Sequence, residues 1–142
     1  MKAEPGNYGD LTDLFEARIL DARSFTHRDH IGVACQMLQR YDFLEAAARY
    51  GSALKEIATK EGASGKFNTT VTLVFLGLLA ERMEVTPHAN FDEFLERNPD
   101  LFSRSLMDAW YSKERVSSEN ARQMFLLPDR FEISGTVGPT NA

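Results

Sequence analysis

Only one cysteine, Cys35, occurs in the chain, so no disulfide can close within it. Long hydrophobic runs are lacking as well. The most apolar stretch, residues 71–80, is about half of the roughly 20 residues that a membrane-spanning helix needs. The basic surplus that duplex DNA or an anionic membrane attracts is missing: 16 Lys and Arg stand against 21 Asp and Glu, a net charge of −5. Neither a nucleic acid nor a membrane is therefore an expected partner. The first residues, MKAEPG, carry neither the basic nor the apolar region of a signal peptide, and the expected location is the cytoplasm. Without a secretory route, the sequon at Asn68-Thr69-Thr70 is a chance match.

Several signatures of chemistry are absent too: HExxH, CxxC, GxSxG, an EF-hand loop and the ExxH pair of di-iron bundles. Gly62-Ala63-Ser64-Gly65-Lys66 only superficially resembles a phosphate loop. A Walker A loop has four residues between its glycines and Ser or Thr after the lysine; this segment has two, and then Phe67. Cys35 falls in an apolar stripe in mid-helix and reads as an inert core thiol rather than a nucleophile.

What is present is ordinary globular composition: 142 residues, 43% apolar and 26% charged, enough for one domain whose core needs no metal or disulfide. Apolar residues recur at helical spacing along most of the chain. The expected fold is all-α, a compact single-domain bundle of about five to seven helices around a central apolar helix. Residues 1–23 read as an N-terminal segment, 24–131 as the helical core and 132–142 as a flexible tail.

A first helix is expected near residues 11–22, capped by Asp10, with Leu11, Leu14, Phe15 and Ile19 on one face. Thr26 followed by Asp29 is a capping box, with Phe25 placed for a hydrophobic staple. It opens a helix that carries Ile31, Ala34, Cys35, Leu38 and Tyr41 in one stripe. Asp42 with Glu45 opens the next, with Phe43, Ala47, Tyr50, Leu54, Ile57 and Ala58 inward and Gly62 just past its end. The run from Val71 to Leu79 is apolar on every side, as expected of a helix enclosed by its neighbours. Asn90 with Glu93 caps a short helix. Asn98-Pro99 starts another, carrying Leu101, Phe102, Leu106 and Trp110, and Ser118 caps a last one through Met124 and Phe125.

The candidate chemistry lies in two histidines. At about 100° per residue, His27 and His30 point the same way as Ile31, Ala34 and Leu38, from the first turn of a helix whose positive end favours neutral imidazole. A neutral His ligates metal, takes a proton or polarises a carbonyl. The plainer alternative is that His30 fills the staple position against Phe25 while His27 bonds a backbone carbonyl. Asn68 and Thr72 share one face of the apolar helix, where Thr72 either meets a ligand or bonds back to the carbonyl four residues earlier. Lys66 stands before that helix, and Tyr111 and Arg115 are further candidate pocket walls, beside Trp110.

Five segments, FTHRDHI from Phe25, KFNTTVT from Lys66, NPDLF from Asn98, WYSKER from Trp110 and FLLPDR from Phe125, resemble those of a group of small bacterial all-helical proteins. The similarity spans about residues 24–131 and implies a shared fold; it supplies no reaction. Many members carry His where this chain has Asn68, so the resemblance implies a third imidazole in the group that Asn68 replaces here.

The expected function is binding of a small polar or anionic molecule in a pocket between the helices beginning at His27 and Asn68. His27 or His30 would be the general acid or base, and Lys66, Asn68, Thr72, Tyr111 and Arg115 the substrate contacts. The alternatives are a non-catalytic interaction protein with structural histidines, and a metal protein ligated by His27 and His30. The second needs a third ligand, and a divalent metal is not the favoured cofactor. A homodimer through the helices of residues 90–127 is expected from the Phe-rich C-terminal half: Phe91, Phe94, Phe102, Phe125 and Phe131.

Overall fold

The structure is a computed structural model that describes residues 8–88 and 90–130. The chain is all-α: among the described residues there are seven α-helices and no strand. They are α1 (Tyr8–Glu16), α2 (His27–Arg40), α3 (Phe43–Lys60), α4 (Thr69–Val85), α5 (Phe91–Arg97), α6 (Lys113–Val116) and α7 (Glu119–Gln123), with 3-10 turns between several of them. Phe131 and the expected tail, 132–142, lie outside the described residues.

The expected caps Thr26, Asp42, Asn90 and Ser118 open helices as read, whereas α1 starts at Tyr8 and holds Asp10, the expected cap, inside its first turn. Thr26 accepts from the Asp29 amide and Asp29 accepts from the Thr26 amide, completing the capping box. Asp42, Asn68, Asn90, Ser112 and Ser118 each cap a helix through the side chain. Gly62, at φ 72°, takes the left-handed position just past α3.

The enclosed helix is α2 rather than α4, which corrects the expectation from hydropathy. In α2, Ile31, Gly32, Val33, Ala34, Cys35 and Met37 are all buried, and α1, α3 and α4 pack around it. Small residues make this feasible by letting neighbours approach closely. A Cβ on Gly32 would stand 2.5 Å from the Tyr8 ring. In α4 only Thr70, Leu76 and Leu79 are buried, and Val71, Leu73, Val74 and Leu78 keep part of their surface in solvent. Its other sides meet short helices and turns that cover an apolar helix only in part.

Three further boundaries differ from expectation. α1 ends at Glu16, not near residue 22, because Arg18 turns the chain through a left-handed φ of 60°. Its guanidinium holds that turn by donating to the Glu16 carbonyl and to Glu56. The buried face of α1 is consequently Tyr8, Thr12 and Phe15, while Ile19 is 68% exposed. The segment after Asn98 forms two separate 3-10 turns, Pro99–Phe102 and Leu106–Ala109, instead of one helix. The Asn98 side chain is spent elsewhere: its amide donates to the Phe94 carbonyl and its oxygen accepts from Arg82. Finally, α7 stops at Gln123, and Met124 begins an irregular stretch tied across the start of α4. The buried Thr70 hydroxyl donates to the Met124 carbonyl and accepts from the Leu126 amide.

Candidate functional site

The start of α2 is fixed by its capping box, and this aims the two imidazoles. His30 lies against Phe25 with ring centres 4.2 Å apart, which is the staple contact. Among the described residues no group hydrogen-bonds either nitrogen of the His30 ring. Burial, then the neighbouring His27, pull its pKa down to about 4, against a smaller opposing pull from Asp29. At neutral pH the ring is therefore uncharged, with one nitrogen able to donate and the other to accept.

His27 is placed differently. Its Nε2 lies 3.0 Å from the Leu101 carbonyl oxygen, and since a carbonyl only accepts, Nε2 carries the hydrogen. The ring also meets Phe102 edge-on at 5.4 Å and Phe75 at 6.2 Å. His27 thus ties the start of α2 to the turn after Asn98.

Between the starts of α2 and α4 lies a cleft of about 300 Å³. Leu54, Ala58, Ala63, Phe67 and Val71 form apolar walls, and His30, Lys66, Asn68 and Thr72 bring the polar groups. Four residues read from the sequence as one site are brought together here. Their polar atoms are not equally free. Asn68 accepts from the Val71 amide as the helix cap and donates to the Val116 carbonyl at 2.7 Å, so its amide is occupied at both ends. The Thr72 hydroxyl donates to the Asn68 carbonyl at 2.7 Å, leaving only its acceptor positions to a ligand. Lys66 is exposed at the cleft and makes no ion pair among the described residues.

Tyr111 and Arg115 are not in this cleft. Tyr111 is fully buried, donates to the Leu126 carbonyl and borders a separate groove with Trp110 and Phe125. Arg115 donates to the Leu127 carbonyl. Both anchor the C-terminal stretch. The apolar walls contributed by Ala63 and Phe67 were not legible as site residues. The one available signal was an aromatic residue placed between Lys66 and the Asn68 cap.

The two imidazoles do not suit one ion. Their ring centres are 6.5 Å apart, whereas two His on a tetrahedral zinc, with bonds of about 2.1 Å, have centres roughly 5 Å apart. His27 already uses Nε2 on Leu101, Asp29 is bonded to Thr26 and Tyr8, and His88 packs on Phe94. Among the described residues no three His, Cys, Asp or Glu come together as a metal site. Nor is any described helix long and apolar enough to cross a membrane. A comparison with protein-family models finds no match to the chain, nor do comparisons with curated proteins and solved structures.

Proposed function

We propose that this protein binds a small polar or anionic molecule in the cleft between α2 and α4, and that His30 is its acid/base and hydrogen-bonding residue. One observation carries the reading: a neutral imidazole without a hydrogen-bond partner among the described residues faces an apolar cleft beside an unpaired ammonium, Lys66. The ring nitrogens open on the cleft with no partner from the described residues, so a ligand can take up their hydrogen bonds without breaking a contact of the fold. As it stands His30 is a weak base. An anion drawn in by Lys66 strengthens it, because an opposite charge within about 4–6 Å favours the protonated ring. Enzymatic use of the site is general acid/base chemistry on such a molecule. The single free thiol, buried, suits the reducing cytoplasm.

The test is a metabolite screen read through the His30 imidazole resonances, repeated with His30→Leu, which keeps an apolar staple against Phe25. The expected result is a ligand that shifts His30 and binds the variant at least tenfold more weakly, with little change in melting temperature. Failure of every compound to shift His30 would overturn the reading.

A second reading, an interaction protein whose histidines are structural, draws on the His27 bond to Leu101 and the His30 contact with Phe25. On it, His27→Ala and His30→Leu change only stability, and no metabolite binds.

A further inference from the structure

Phe67 borders three neighbouring spaces, one of them a polar cleft with Lys55, Glu119 and Arg122; the other two share its ring and Thr72. On one side it lines the His30 cleft; on the other it lines a groove of about 250 Å³ between α3 and α4, walled by Ala47, Ala48, Gly51, Lys55 and Leu73. Thr72 borders both, so the two spaces are separated by one aromatic ring and one threonine. The ring is only half-buried and makes no ring-to-ring contact among the described residues. The far groove presents mainly apolar surface, with Ser52, Lys55, Thr69 and Thr72 as its polar members. A Cβ added at Gly51 would meet nothing within 4 Å, although this position lies inside α3, where glycine is a poorer helix former than alanine.

The charged side chains that line these two spaces are cationic. Lys66 borders the His30 cleft and Lys55 the groove, and neither ammonium has a carboxylate within 4.0 Å among the described residues. Most other cations of this acidic chain are paired: Arg18 with Glu56, Arg28 with Asp92, Arg40 with Asp13 and Glu16, Arg82 with Asp100. Glu119, which lies beyond Lys55, is engaged by Arg122 and Gln123.

We propose that the ligand of the His30 cleft is an amphipathic anion: a carboxylate held between His30 and Lys66, on an unbranched apolar chain that passes Phe67 and Thr72 into the α3–α4 groove. This rests on the cleft being a binding site and names the class of molecule that it takes. His30 donates a ring N–H to one carboxylate oxygen, Lys66 supplies the opposite charge, and the chain covers Leu73, Ala47 and the Gly51 backbone. Lys55 stays at the groove's edge, within reach of solvent.

The experiment titrates the protein with butyrate, octanoate and decanoate, with octanol and octylamine as controls, following His30 resonances and calorimetric affinity. In the natural protein, affinity rises about threefold to fourfold per added methylene, as burial of apolar chain predicts. Gly51→Leu, which fills open space on a helix, keeps butyrate affinity within about twofold and loses at least tenfold for decanoate. Ala48→Leu, in the same groove, does the same. Lys66→Gln brings octanoate down to the level of octanol. The proposal is overturned if butyrate shifts His30 but longer chains bind no better, if both groove variants bind decanoate as the natural protein does, or if octanol or octylamine matches octanoate. It is also overturned if an unrelated metabolite shifts His30 and no carboxylate does. In each of these cases the cleft survives as a binding site; it fails only if nothing shifts His30.

Discussion

His30 shows how burial sets chemistry at a single residue. Its pKa in the folded protein is about 4, against roughly 6.5 for an exposed imidazole, so between these values the unfolded chain binds a proton that the folded one does not. Stability contributed by the neutral ring is therefore complete above about pH 6.5 and is lost as pH falls towards 4. The full swing is on the order of 3 kcal/mol. Urea denaturation at pH 7 and pH 4.5 should show a larger drop for the natural protein than for His30→Leu. An equal drop in the two would mean that His30 titrates as an exposed histidine. Asp29, at the preceding position, opposes the depression of His30; it accepts from Thr26 and from the buried Tyr8 hydroxyl, whose pKa burial and that carboxylate push up to about 12.

At the scale of helices, α2 matters most, and two of its features can be tested. Thr26→Ala removes half of the capping box and is expected to cost about 1 kcal/mol, read as a lower denaturation midpoint with an unchanged slope. Because the box also aims His30, the same variant should weaken ligand binding by more than an exposed cap would, for instance Ser118→Ala. Gly32→Ala drives a methyl into the Tyr8 ring, whose hydroxyl is already fixed on Asp29, and is expected to cost about 1–3 kcal/mol. An unchanged midpoint in Gly32→Ala would show that α1 can move away from α2.

For the molecule as a whole, the surplus of apolar surface is smaller than the Phe-rich C-terminal half suggests. Phe91 and Phe94 are buried in the core, with Phe91 edge-on to Tyr8 at 5.2 Å and the Arg28 guanidinium over the Phe91 ring, 5.2 Å from its centre. Phe102, Met124, Phe125 and Leu127 remain exposed, Leu127 by 67%. A second copy covering those side chains is the basis for expecting a homodimer. Light scattering over a hundredfold dilution should give twice the chain mass at the upper end, and a monomer mass throughout would remove that expectation.

Local signals were enough for the all-α class, for the caps Thr26, Asp42, Asn90 and Ser118, and for the cluster of His30, Lys66, Asn68 and Thr72. A cap needs only a short polar side chain three residues before an open amide, and helical spacing places side chains on a common face; both are properties of neighbouring residues. Burial order is not local. Hydropathy made α4 the centre, but small residues let three helices close around α2, and α4 was left with partly uncovered apolar faces. The same difference separates the two histidines. Sequence spacing gave them one direction, and the chain at Leu101 arrived from 74 residues away to occupy His27, while no described group hydrogen-bonds the ring of His30. Tyr111 and Arg115 went to the carbonyls of Leu126 and Leu127 for the same reason. Which polar groups the fold satisfies and which it leaves open depends on where distant backbone runs, and only the tertiary structure decides that.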